Sequence, residues 1–294
     1  MPAPESRRVR LSTGLDYHLL EWGQSDAALE HTVVMVHGFL DLCWSFQDCI
    51  EAGLAGRFHV IAPDMRGHGD SDRIGAGGYY HFMDYLADLD SLVEQLGRQH
   101  VSLVGHSMGG SIAAYFAGTW PGRVTRLALL EGSGPPEDST AVPDQVRHWV
   151  DACRRARSRE PRSYDSVEAA AARLRQNDAG LDEALSLRLA EHGTTRGEDG
   201  RLRFKHDPLH LTRGPYPFQL DVARSFWQRI ACPVLLVEGS ESPFRALDRS
   251  KEFPGARRAV IDGAGHMMQR HRPAELARLL AEFLSGHDEP PQPG

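Results

Sequence analysis

The chain has 294 residues, 41% hydrophobic and 25% charged, which is the balance of a packed globular protein and excludes a wholly disordered one. Forty acidic against thirty-three basic side chains leave a formal charge of -7, so the chain as a whole does not suit nucleic acid or an anionic membrane surface. Cys43, Cys49, Cys153 and Cys232 form no Cys-x-x-Cys pair and are expected to be reduced thiols, with no disulfide frame and no metal site. No apolar run approaches the roughly 18 residues that cross a bilayer. The opening MPAPESRRVR lacks the apolar centre of a signal peptide, and a cytoplasmic protein is expected.

In chain order, Arg7 to Leu11 and Tyr17 to Trp22 read as a hairpin turned through Ser12-Thr13-Gly14. Short apolar runs closed by glycine or proline follow at Thr32 to Val36, Phe58 to Ala62, Val101 to Val104 and Val124 to Leu130, then at Pro233 to Val237 and Arg258 to Ile261. These read as interior strands of a mostly parallel sheet. Between them, Phe82, Tyr85, Leu86, Leu89, Leu92, Val93 and Leu96 form one helical face that stops at Gly97. Ser111 to Trp120 is a second helix, and Pro273 opens a last one with Leu276, Leu279, Leu280 and Phe283 inward. The tail after Ser285 is polar and proline-rich and is expected to fray.

The stretch from Gly134 to about Arg229 breaks the alternation. It is too long for a connecting loop. Its helix-prone parts are Gln145 to Ala156, Ser166 to Gln176 and Leu181 to Glu191, followed by a proline-punctuated run, DPLHLTRGPYPF. Residues 134–229 are therefore expected to form a helical cap inserted after the sixth strand, over a core of residues 1–133 and 230–294.

Gly105-His106-Ser107-Met108-Gly109 lies between a buried strand and a helix. A serine at such a tight strand-to-helix turn is forced into a strained conformation that lifts its hydroxyl above the sheet, at a helix N-terminus that favours developing negative charge. The hydroxyl needs a histidine base. His266, in the flexible run Asp262-Gly263-Ala264-Gly265-His266, is the one able to fold back over the strand ends, whereas His106 points away from Ser107. An oxyanion needs two backbone donors, assigned to Met108 and Phe39, the latter in the turn after His37-Gly38.

The motifs HGF, DMRGHGDS (from Asp64), GHSMGG and GAGH, in that order, make the sequence resemble the α/β-hydrolase family, in particular its serine hydrolase-like and carboxylesterase-type members, from about Leu11 to Leu284. The resemblance implies an α/β fold with an eight-stranded, mostly parallel sheet, helices on both faces and a cap. It further implies a nucleophile–acid–histidine site and no cofactor. In most members the acid is an aspartate three residues beyond the glycine that closes the seventh strand, and here that position is Ser242. Two carboxylates remain: Glu131 at the end of the sixth strand, as in haloalkane dehalogenases, which is favoured, and Glu241.

Position 107 is serine, whereas the epoxide hydrolases and haloalkane dehalogenases attack with a carboxylate. The expectation is a serine hydrolase that cleaves a small or medium carboxylic ester. Its alternatives are a thioesterase, a hydrolase of carbon–carbon bonds in diketone-type substrates, and a non-catalytic small-molecule receptor. The pocket is expected to be walled by His37, Leu40, Trp44, Trp149, Phe218, Trp227 and Met267. The basic run Arg154, Arg155, Arg157, Arg159 and Arg162 reads as a solvated cap face.

Overall fold

The structure, a computed structural model, describes residues 3–23 and 31–286. The tail beyond Gly286 lies outside them. In chain order the strands are β1 (Glu5–Arg10), β2 (Asp16–Trp22), β3 (Thr32–Val36), β4 (His59–Pro63), β5 (Val101–His106), β6 (Val124–Leu130), β7 (Ser163–Tyr164), β8 (Thr194–Arg196), β9 (Leu202–Phe204), β10 (Val234–Gly239) and β11 (Arg257–Ile261). The helices are α1 (Gln47–Gly53), α2 (Phe82–Gln95), α3 (Met108–Thr119), α4 (Val142–Ser158), α5 (Val167–Asn177), α6 (Glu183–Gly193), α7 (Leu220–Trp227), α8 (Met268–His271) and α9 (Pro273–Leu284).

Eight strands form one sheet in the order β1-β2-β4-β3-β5-β6-β10-β11. Pairing is antiparallel between β1 and β2 and between β2 and β4, and parallel from β4 onward. The five residues of β3, TVVMV, are all buried because a central parallel strand is covered on both faces. Successive side chains serve opposite faces. Val33 and Met35 pack with Ile50, Leu280 and Phe283 of α1 and α9, while Val34 and Val36 pack with Leu89, Ile112 and Phe116 of α2 and α3.

The inserted segment carries α4, α5 and α6. It also carries a small sheet, β7-β9-β8, which the sequence did not announce. The glycine-charged turn from Arg196 to Gly200 is the loop of its β8–β9 hairpin. The far end of the segment belongs elsewhere: α7 lies on α3, with Phe226 stacked on Tyr115 at 4.4 Å. Trp227 is buried against Phe253 in the same core as Ile112 and Phe116. Residues 220–229 therefore complete the helical layer of the sheet and do not cover the site.

Charged pairs tie the inserted segment to the rest of the chain, among them Lys205 Nζ to Asp70 at 2.7 Å and Arg188 to Asp48 at 2.5 Å. No helix among the described residues is long and apolar enough to cross a membrane.

One buried network sets the loop after β4. Asp88 on α2, fully buried, accepts from Arg66 at 2.5 and 2.8 Å, from Tyr17 at 2.5 Å and from Thr13 at 2.7 Å. Removing one partner of a buried ion pair leaves the other desolvated and uncompensated. Asp88→Ala is expected to lower stability by about 3–5 kcal/mol. Urea unfolding checks this, and a loss below about 1 kcal/mol, the level of an exposed pair, would contradict it.

Candidate active site

Among the described residues, three non-glycine side chains stand on backbone with positive φ: Leu40 at 56°, Ser107 at 52° and Glu131 at 47°. Such conformations cost roughly 1–3 kcal/mol each and persist only where the surroundings over-determine them. All three follow the carboxyl ends of neighbouring strands (β3, β5 and β6), where open parallel sheets place their ligands.

Ser107 sits between β5 and α3, with ψ at -118°, and its N–H donates to the Leu130 carbonyl at 2.9 Å. The bend is tight because α3 turns back immediately. A Cβ on Gly105 would lie 2.5 Å from the Gly109 carbonyl oxygen and from the Gly110 Cα, so only glycine fits there. Met108 opens α3, and amides in a helix's first turn have no acceptor within the helix.

The opposite wall is the loop after β3. Phe39 is exposed at its tip, and Leu40 carries the strained turn. Two histidines hold this loop. His37 accepts from the Met65 N–H at Nε2 (2.9 Å), so its Nδ1–H donates to the Gly38 carbonyl (2.7 Å). His68 accepts from the Leu40 N–H at Nε2 (3.2 Å) and donates from Nδ1 to the Arg66 carbonyl (3.0 Å). Burial, with the neighbouring His37 and His210, pushes the His68 pKa well below the ordinary imidazole range and keeps it an acceptor. His37, expected in the pocket, is instead fully buried and spent on this loop.

Glu131 reaches from the end of β6. Its Oε2 lies 2.6 Å from His266 Nδ1 and accepts from Ser242 Oγ at 2.7 Å, while Oε1 accepts from the Gly239 N–H at 2.9 Å. The Glu131 side chain is 3% exposed and that of His266 22%. Burial alone would raise the Glu131 pKa. The hydrogen bonds from His266, Ser242 and Gly239 outweigh it and hold the carboxyl below its ordinary value. With Nδ1 engaged, Nε2 is the nitrogen left for proton transfer. Glu241, the other candidate acid, is exposed, and its backbone N–H donates to the Ala264 carbonyl at 2.9 Å. The His266 ring packs with Phe244 (4.4 Å) and with His106 (4.7 Å), the residue before the serine.

The expected pocket residues scatter. Trp44 stacks on His192 of α6 at 3.5 Å. Trp149 packs on Tyr79 at 4.8 Å, and Phe218 lies under the Arg249 guanidinium at 5.0 Å. Trp227 is removed from the site altogether, in the core behind α3. Met267 is half-buried beside His266, and Leu40 lines a cavity of about 30 Å³ with Leu42, Leu174, Leu189 and Phe204. Sequence reasoning passed over three residues that organise the site: Ser242, His68 and His106. For Ser242 a signal existed, because it occupies the usual acid position.

The alpha/beta hydrolase fold family matches residues 31–273, and the chain belongs to that family. It is similar to epoxide hydrolase A of Mycobacterium tuberculosis, at 28% identity over 97% of this chain and 99% of that protein. It is also similar to a serine hydrolase-like protein of Dictyostelium discoideum, at 27% identity over 81% of this chain and 67% of that one. Among solved structures, a hypothetical protein from Pseudomonas aeruginosa superposes with a TM-score of 0.84 at 28% identity, covering 96% of this chain and 99% of its own. The thioesterase domain from the curacin biosynthetic pathway does so with 0.82 at 28% identity, covering 95% and 99%.

The lowered Glu131 pKa has a consequence for stability. Folding favours the ionised carboxyl, so the stabilisation is present above the ordinary value near 4.5 and is lost as pH falls through the lowered folded value. Glu131→Gln is expected to lose less stability than the unmodified protein between about pH 5 and pH 3, measured by urea unfolding. Equal losses would show that the carboxyl is not held charged.

Proposed function

We propose that the protein is a serine hydrolase that cleaves carboxylic esters through an acyl-enzyme. One observation carries the reading: a carboxylate 2.6 Å from Nδ1 of a histidine whose ring packs beside the residue preceding a strained serine. Ser107 Oγ attacks the acyl carbon while His266 Nε2 takes its proton. Glu131 fixes the imidazole tautomer and balances the imidazolium that forms. The amides of Phe39 and Met108 receive the oxyanion. His266 then returns the proton to the departing alcohol, and water, activated by the same imidazole, releases the acid.

A carboxylate nucleophile of the kind that opens epoxides is not available at position 107, so the likeness to an epoxide hydrolase does not extend to its reaction. A thioester is the second reading, favoured by the likeness to a thioesterase domain and served by the same acyl chemistry. A hydrolase of carbon–carbon bonds in carboxylated ring-cleavage products would need cap residues that bind a carboxylate. Two arginines of the basic run are engaged elsewhere: Arg154 pairs with Asp151 on the surface, and Arg157 bonds the Gly78 carbonyl and lies over Tyr79.

Turnover of p-nitrophenyl butyrate and of an acyl-N-acetylcysteamine thioester, with fluorophosphonate labelling, tests these readings. Ser107→Ala is expected to lose label and about 10⁴-fold or more in kcat, Glu131→Gln about 10³–10⁴-fold, and Glu241→Gln less than about twofold. Undiminished turnover in Ser107→Ala would end the proposal. A protein that never takes the label would be a receptor. A larger loss in Glu241→Gln than in Glu131→Gln would move the acid to the other carboxylate.

A further inference from the structure

The side chain before the serine has a use that the catalytic reading leaves open. His106 is 1% exposed, and its Nε2 lies 2.9 Å from the backbone carbonyl of His266. A carbonyl only accepts, so Nε2 carries the proton and Nδ1 does not. That Nδ1 is buried and has no hydrogen-bond partner. A buried polar atom left without a partner is a cost that an apolar side chain of similar size would avoid, so a histidine here calls for a compensating role. Burial, together with the nearby His266, lowers the His106 pKa to about 3, so the ring stays neutral.

The other edge of the ring meets the opposite wall of the site. A Cβ added to Gly38 would come within 2.7 Å of His106 Nδ1, 3.2 Å of its Cε1 and 3.2 Å of Ser107 Cβ. The imidazole is thus wedged between the loop after β3, which carries Phe39, and the loop after β11, which carries His266. It grows from the residue joined to Ser107, so one rigid ring touches all three parts of the site.

We propose that His106 is a positioning residue for the base: its Nε2–H holds the main chain of His266 while Glu131 holds the ring. Two anchors on different atoms fix both where the imidazole begins and which way it turns. Without the main-chain anchor, Glu131 still selects the tautomer, but the ring is free to swing about the Glu131 contact and Nε2 loses its aim at the serine. His106 itself exchanges no proton with substrate. The proposal rests on the reading of His266 as the base, and one arm of its test does not require turnover.

The test compares His106→Gln, whose amide can still donate over a similar reach, with His106→Leu, which fills the space without a donor, and His106→Asn, whose amide falls short. In the turnover arm, kcat and KM are measured on p-nitrophenyl butyrate, with thermal unfolding of each variant alongside. His106→Leu and His106→Asn are expected to lose about 10–100-fold in kcat with KM within about twofold, the result of a misaimed group and not of a lost binding contact. His106→Gln is expected to stay within about fivefold of the parent. The second arm follows the downfield proton of the His266 Nδ1–Glu131 bond by NMR, which is expected to stay sharp in His106→Gln and to broaden in His106→Leu. Equal kcat in the parent and His106→Leu, or equal impairment of Leu and Gln with the proton signal unchanged in both, would overturn the proposal. A parent that neither turns over ester nor takes a fluorophosphonate, yet shows the NMR difference, would sink the hydrolase reading and keep the tether.

Discussion

A carboxylate removed from water must be surrounded by donors or it will take up a proton. That requirement at Glu131 shapes the region around it. The acid stands on the first residue beyond an interior strand, and each of its donors comes from a different place. One is a backbone amide at the end of β10, one a hydroxyl in the following turn, and one a ring delivered from beyond β11. Satisfying a single charge therefore brings three chain segments into register. The sheet makes this possible because β6, β10 and β11 are adjacent and parallel, so their exits lie side by side.

The same economy of donors and acceptors governs the strained backbone nearby. Leu40, Ser107 and Glu131 each depart from the usual left side of the Ramachandran plot, and each has its amide in a hydrogen bond: to His68 Nε2, to the Leu130 carbonyl and to the Val237 carbonyl. Strain of this kind survives only where neighbours remove the alternatives. Two nearby imidazoles serve as fixed acceptors, at His37 and His68, and a third, His106, is used as a donor. Among His37, His68, His106 and His266, it is His266 that has a carboxylate partner and partial exposure.

The architecture was legible because its signals are strong and local. Short apolar runs bounded by glycine or proline read as interior strands, which fits β3, β4, β5, β6 and β10, and the 3-4-7 spacing from Phe82 reads as one buried helical face. The run from Arg258 to Ile261 is a correction: β11 is the edge of the sheet, with Arg258 and Val260 exposed. Strand ends were less legible: β5 runs on through Gly105 and His106, where pairing with Leu129 and Leu130 continues. Strands of two and three residues, as in β7, β8 and β9, carry too little pattern to be seen. The chain order of Ser107 and His266 was readable from motifs, and Glu131 stood at a strand exit as the favoured of two carboxylates, of which the structure sets Glu131 against the His266 ring. The pocket was not readable. An aromatic residue in an inserted segment shows nothing about which way it faces, and Phe226 and Trp227 face the core because α7 lies on α3. The service of His106 also left no trace in spacing, since its partner is a main-chain carbonyl 160 positions away.

The Ser242 hydroxyl and the His266 ring meet at one oxygen of Glu131, at 2.7 and 2.6 Å. Position 242, after β10, and position 131, after β6, thus lie one hydrogen bond apart. A lineage in which position 242 gained a carboxyl would hold a spare acid before losing the first, and the two like charges would share a proton instead of both ionising. On the proposed reading of Glu131 as the acid, that role would then be able to pass between the exits of β6 and β10 with Ser107 and His266 in place.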